Sequence, residues 1–377
     1  MSDDVITATE LQRRVDTGAK MALLDIRNRD EIDVWKIEGP NIERVEVPYI
    51  KFVSAQVTGG LTDLLPSTET PIVVVCPRGE ASNEVAMLLR EVGIDAINLA
   101  GGMEAYARVY ETTALPTEVT VLQYRRPSSG CLAYLIASDG EALVVDPLRT
   151  FADRYAVDAS IHNAELRYAV DTHIHADHIS GVRDVTKRTG ATPLLSARAI
   201  NRGVTFSAES VVNGDVIQVG KTAIEIVATP GHTTGMISLL VGETLLTGDG
   251  LFVDGVPRPD LQESDEGAVE YARDLHRTCT ERLAQFDDET LIAPGHYTPG
   301  KGAIDGATTA RLGELRDSMM VFDADREFFV DRVLASMPPQ PANFERIIAT
   351  NLGQTALSDD QAFEVELGPN NCATTAD

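Results

Sequence analysis

The feature that most narrows the fold is the run Thr172-His173-Ile174-His175-Ala176-Asp177-His178, directly after the apolar stretch Tyr168-Ala169-Val170. Three of the chain's seven histidines and one aspartate fall in it. Imidazole is the commonest protein ligand for zinc, iron and related divalent metals. An apolar strand ending in such a loop can aim several donors at one point. Further candidates follow later apolar runs: His232 in the loop 229–235, Asp249 after a strand expected at 244–246, and His296 after one at 291–293. Each sits in a glycine-containing turn, where backbone can approach closely. By spacing alone, His173, His175, Asp177, His178, His232, Asp249 and His296 can hold one metal or two.

A chain of 377 residues exceeds one ordinary core, so two domains are expected. In residues 1–112, apolar strands expected at 21–26, 45–48, 71–76 and 97–99 alternate with helical segments. One helix opens on Thr7 with Glu10 three residues on, a capping box. Another, after Ser82, places Val85, Leu88, Leu89 and Val92 on one face. This alternation predicts a small α/β domain with a mostly parallel sheet. Residues 113–117, with Pro116, read as a linker. Beyond it, strands are expected at 119–124, 131–137 and 142–145, then at 216–219, 223–227, 237–241 and 244–246. Helices dominate from 267 on. Two halves, each β-rich then helical, predict a four-layer αββα sandwich over 118–365. Residues 366–377 read as a polar, frayed tail.

Charge sets the partners. Fifty-eight acidic residues oppose 32 basic ones, and the excess is spread along the chain. Such a surface disfavours nucleic acid and anionic membranes and suits solubility at high salt, as in an acidic, halophilic proteome. No stretch approaches the ~20 apolar residues of a membrane span, and the acidic N-terminus does not read as a signal peptide. The four cysteines are far apart with no paired framework, which predicts a reducing, cytoplasmic setting. Homo-oligomerisation is left open.

Cys76 stands where a buried strand meets a helix N-terminus, in the loop 76–82. Inward loop amides and the helix dipole favour a thiolate there. Arg78 adds positive charge, and Gly79 and Ser82 shape the loop. With Leu24-Asp25-Ile26-Arg27, Glu31 and Gly101-Gly102-Met103, this domain resembles a rhodanese module. The resemblance implies that Cys76 carries a sulfane sulfur as a persulfide, with thiosulfate or sulfite at the site. Ala81 stands where many rhodaneses have an arginine.

The order His-x-His-x-Asp-His, His, Asp, His resembles the metallo-β-lactamase fold superfamily. Three stretches, 172–181, 247–261 and 341–353, are similar to its persulfide dioxygenases. Gly250 and Pro257 depart from that pattern, whereas Arg258 and Asp260 keep it and are expected at the substrate. The resemblance implies one Fe(II) per chain on His173, His232 and Asp249. His175, Asp177, His178 and His296 then orient ligands or bind the sulfur species. The expected activity is oxidation of a low-molecular-weight persulfide by O2 to sulfite and thiol, coupled to rhodanese sulfur transfer. The alternative is a glyoxalase II-like thioester hydrolase with two zinc ions, in which those four residues are also ligands.

Overall fold

The computed structural model describes residues 4–65, 70–262, 265–298 and 306–374. Its N-terminal sheet contains β1 (Val5–Ile6), β2 (Met21–Asp25), β3 (Ile42–Glu46), β4 (Ile72–Val75) and β5 (Ala96–Leu99). They run parallel in the order β1-β5-β4-β2-β3. β4 is apolar on both faces because helices cover both. Leu23, Val73 and Val75 pack with Leu11, Met103 and Tyr106 on one side. Ala22, Leu24 and Val74 pack with Phe52, Val85 and Leu89 on the other. Thr7 caps the helix Ala8–Asp16 by accepting from the Glu10 amide. Glu10 does not complete the box; its carboxylate pairs with Arg13 and Arg14. Val92, expected on the buried face of the helix Glu80–Glu91, caps that helix and is exposed, while Ala86 is buried in the core.

The second domain is the expected sandwich. One sheet contains β6 (Glu111–Ala114), β7 (Thr120–Arg126), β8 (Cys131–Ser138), β9 (Glu141–Val145), β10 (Glu165–Val170), β11 (Thr192–Ser196) and β12 (Glu209–Val211), in the order β12-β11-β10-β9-β8-β7-β6. The other contains β13 (Val216–Val219), β14 (Thr222–Ala228), β15 (Ile237–Val241) and β16 (Thr244–Gly248). After β17 (Val256–Pro257), outside this sheet, come β18 (Leu291–Pro294) and β19 (Ala310–Arg311), giving the order β13-β14-β15-β16-β18-β19. Alternation along β8 explains the layers. Leu132, Tyr134 and Ile136 face the second sheet, meeting Ile224, Ile226 and Leu239 in one core. Cys131, Ala133, Leu135 and Ala137 face outward onto the helices Ala152–Ile161 and Val182–Thr189. Each fully buried Leu or Ile there contributes roughly 1.5–3 kcal/mol of transfer free energy. The outer face of the second sheet buries Leu245 and Ile292 against Leu275, Leu315 and Phe329.

Two segments differ from expectation. The linker begins inside β6, which pairs antiparallel with β7 as an edge strand, and Leu115 is buried in the inter-sheet core. The tail is not frayed through its described part. Glu366 is fully buried against Arg126, and β20 (Ala373–Thr374) pairs with β17. Asn370 donates to the Ser129 carbonyl, and the Cys372 carbonyl accepts from the Arg258 amide at 2.8 Å. A polar segment is held here by hydrogen bonds, which hydropathy does not reveal.

The domains share an interface. The Trp35 indole N–H donates to the Ser128 carbonyl at 3.0 Å. Arg125 pairs with Asp16 and Glu111. Phe363, from the helix Asp359–Val365, packs into the N-terminal core under Arg108.

Candidate metal centre

The strand directions bring the predicted donors together. β14, β16 and β18 run the same way, as do β9 and β10 in the facing sheet. Their C-terminal ends meet along one edge. From it project His173–His178 after β10, His232 after β14, Asp249 after β16 and His296 after β18. All seven are buried. A side chain at Gly295 would place its Cβ 2.6 Å from Asp249 Oδ1, so only glycine lets the β18 turn come this close.

Donor atoms of His173, His232 and Asp249 lie within 4.8 Å of one another. The Asp249 Oδ2 oxygen is 3.9 Å from His173 Nε2 and 3.7 Å from His232 Nε2. The hydrogen-bond network assigns both tautomers. His232 Nδ1 donates to the Arg258 carbonyl at 2.7 Å, which leaves Nε2 as a bare lone pair. His173 Nδ1 donates to Thr172 Oγ1 at 3.0 Å, because that hydroxyl gives its own proton to Asp146 Oδ2 at 2.8 Å. Among the described residues, His173 Nε2 and Asp249 Oδ2 are buried with no hydrogen-bond partner. Burial disfavours the charged imidazole and pushes the His173 pKa well down, helped by the neighbouring His175 and His232. Burial also lowers His232. Three acceptors without a shared proton fit a metal cation in this pocket.

His296 sits differently. Its Nδ1 bonds Asp249 Oδ1 at 2.7 Å and its Nε2 bonds Asp177 Oδ2 at 2.8 Å. Burial would lower its pKa, but the two carboxylates override this and raise it well above the ordinary value. Burial would likewise raise Asp249 and Asp177, yet His296 holds both below the usual carboxylate range. His178 bonds the same Asp177 oxygen at 3.2 Å. Cys131, Asp177, His178 and His296 form a second group of donor atoms within 4.8 Å, and Cys372 approaches Asp249 and His296 equally closely. His175 belongs to a separate group with Asp146 and Asp171; its Nε2 bonds Asp146 Oδ1 at 3.1 Å.

Several supporting residues escaped the sequence reading. Asp146 accepts the Thr172 amide and hydroxyl and the His175 ring. Asn351 donates to the carbonyls of His175 and His178, each at 2.9 Å, and accepts from the Ser180 amide. Glu366 accepts the Ile179 amide at 3.1 Å. Cys131 and Cys372 carried no sequence signal. Asp146 did carry one, as a carboxylate closing the apolar run 142–145. Arg258 and Asp260, expected at the substrate, pair with each other at 2.6 Å in the interior. The Arg258 Nη1 donates to the carbonyls of Pro339 and Asn371. Through its own carbonyl Arg258 sets the orientation of His232.

In the N-terminal domain, Cys76 Sγ accepts from the Gly79 amide at 3.0 Å and the Ser82 amide at 3.3 Å. The Ser82 hydroxyl donates to Asn98 Oδ1 at 2.7 Å and lies 3.1 Å from Sγ. Gly102 closes the loop from behind, where an added Cβ would lie 2.2 Å from the Cys76 carbonyl. Arg78 does not sit against the thiol in a bond; it points outward to Glu104 at 2.7 Å. The loop is an amide cradle for a sulfur anion.

Comparison with known proteins places each domain in a family. The metallo-β-lactamase superfamily model matches residues 127–296, and the rhodanese-like domain model matches residues 7–108. The mitochondrial persulfide dioxygenase ETHE1 of Bos taurus is 30% identical over 193 residues, covering 50% of this chain and 72% of that protein. A hydroxyacylglutathione hydrolase from a Polaromonas species is 36% identical over 172 residues, covering 43% of this chain and 60% of the relative. The crystal structure of ETHE1 from Myxococcus xanthus superposes with a TM-score of 0.54 at 30% identity, covering 62% of this chain and 98% of that one.

Proposed function

The chain belongs to the metallo-β-lactamase superfamily and carries a rhodanese-like domain, and from that premise we propose a bifunctional enzyme of sulfur metabolism. It oxidises a low-molecular-weight persulfide and transfers sulfane sulfur. The net reaction is R–S–SH + O2 + H2O → R–SH + sulfite + 2 H+. One observation carries the reading: Asp249 divides its two oxygens. Oδ1 is taken by His296, while Oδ2 is bare and shares its pocket with the lone pairs of His173 and His232. Two histidines and one carboxylate form the facial donor set of non-haem Fe(II) oxygenases. When bound there, Fe(II) supplies the electron-transfer chemistry that O2 requires.

The chain's own residues do the rest. Asp146 and Thr172 fix the His173 tautomer, and Arg258 fixes that of His232. His296 holds Asp249 in its ionised form and occupies its Oδ1. Leu251 and Phe252 are fully buried beside the site, and the Phe252 ring stands edge-on to His296, which limits water. In the N-terminal domain, Cys76 attacks a sulfane sulfur and expels the donor's thiol or sulfite. The amides of Gly79 and Ser82 stabilise its anion. Fusion raises the concentration of one site's product at the other. The cytoplasm is the setting we propose.

A second reading, thioester hydrolysis with two zinc ions, has its own support. Cys131, Asp177, His178 and His296 could hold a second ion if the His296 bonds were released, and the hydroxyacylglutathione hydrolase relative points the same way. Persulfide-dependent O2 uptake with sulfite as product tests the first reading. Hydrolysis of a glutathione thioester without O2 uptake sinks it.

A further inference from the structure

The junction of the two domains contains two adjoining cavities, of about 390 Å³ and about 220 Å³. They share walls at Asp33, Val34, Pro369 and Asn371. The smaller cavity is lined by Asp177 of the histidine loop, and the larger by Tyr297, the neighbour of His296. One wall of the larger cavity is formed by Ile32 to Lys36 and Glu38 of the N-terminal domain. The cavities thus reach from the domain interface to Asp177 of the histidine loop, and the rhodanese-like domain forms part of their lining.

The lining has a definite chemistry. Asp33, Glu38 and Asp254 oppose Lys36, which itself lies 3.7 Å from Glu38. Asp254 Oδ2 accepts the Thr298 amide at 2.9 Å, but its Oδ1 is buried with no hydrogen-bond partner among the described residues. A carboxylate oxygen withdrawn from water and left unpaired is costly, and a cationic N–H donor is the group that offsets this best. We infer that this interdomain cleft holds the organic part of the persulfide, that Asp254 binds an ammonium group on it, and that the segment 32–38 of the rhodanese-like domain selects the substrate of the other domain. Carriers with a free amino group are favoured; polyanionic carriers are repelled. The inference rests on the persulfide reading for the identity of the reacting group, but the cleft's choice of carrier can be measured without it.

The test compares cysteine persulfide with N-acetylcysteine persulfide, which lacks the ammonium, on the full-length metal-loaded protein. Asp254→Asn should raise KM for the first at least about tenfold, as expected for loss of one charge-assisted bond, with kcat little changed and KM for the second unaltered. Val34 is exposed, so Val34→Arg should fold normally, narrow the shared wall and raise KM for both, while leaving thiosulfate:cyanide sulfur transfer at Cys76 intact. Calorimetric binding of cysteine and of N-acetylcysteine, the thiol products, supplies a readout independent of O2. Discrimination between the two thiols that is lost in Asp254→Asn, in a protein that consumes no O2, would support the cleft and remove the dioxygenase reading. Equal effects of Asp254→Asn on both carriers, or no effect of Val34→Arg on either, would overturn the inference.

Discussion

Replacing Glu366 with alanine leaves the Arg126 guanidinium stranded inside the protein. The two side chains meet at 2.9 Å with relative exposures of 1% and 0%. Arg126 would keep its bond from Nε to the Ala107 carbonyl, but its Nη2 already has no partner among the described residues. Breaking a buried pair by removing one partner costs about 3–5 kcal/mol. The Thr150 hydroxyl and the Ile179 amide lose their acceptor as well, adding about 1–3 kcal/mol before water or neighbours relax. That is a large part of the ~5–15 kcal/mol that holds an ordinary domain folded. Removing both charges, as in Arg126→Met with Glu366→Leu, should recover about half of the loss, because no unpaired ion remains. Trp35 is the only tryptophan and bonds across the domain interface, so its fluorescence in a urea titration reports this region directly. Circular dichroism of the same samples follows the whole chain. A cost below about 1 kcal/mol for Glu366→Ala, or a double variant no more stable than the single one, would show that the pair is not the buried node described here.

Other consequences follow from the two sites. Thr172→Val removes the acceptor that fixes the His173 tautomer, so metal affinity in a chelator competition should fall about tenfold to a hundredfold with the fold intact; unchanged affinity would refute that role. Cys76→Ala should abolish sulfur transfer and spare persulfide-dependent O2 uptake, and loss of both activities would contradict the division of labour between domains. Burial pushes the Cys279 thiol up to about 12 from an ordinary 9. A raised folded value means that the folded state holds its proton longer, so this contribution is complete below pH 9 and is lost as pH climbs from 9 toward 12. Cys279→Ala should flatten the alkaline fall in thermal stability, and in the parent protein iodoacetamide at pH 8 should not label Cys279 until the chain unfolds.

The candidate donor cluster is legible because its signal is local. His173 to His178 stand within one loop, and His232, Asp249 and His296 each close an apolar run, so strand and ligand are read together. The division of Asp249 between His296 and the bare pocket was not legible, since it depends on how two sheets face each other. Asp146 closes an apolar run like the other donors, but its bonds to Thr172 and His175 depend on β9 lying beside β10. Asn351 and Glu366 reach the histidine loop from more than 170 positions away in sequence, and no periodicity encodes such a contact. The segments 113–117 and 366–374 differ from expectation for a common reason. Both are short, and both are ordered by backbone pairing at the edges of the fold, which leaves no trace in hydropathy. The N-terminal domain had the opposite bias: continuous apolar strands made β2, β4 and β5 plain, while the amphipathic helix Tyr49–Thr58 passed unnoticed because only Phe52 and Ala55 are buried on it.

The account turns on how many metal ions the histidine constellation holds. Metal stoichiometry by mass spectrometry, on protein purified without added zinc, addresses it most directly. One iron per chain is predicted, bound by His173, His232 and Asp249 and lost in Asp249→Ala. Two zinc ions per chain, with His178 and His296 variants each losing one of them, would contradict it.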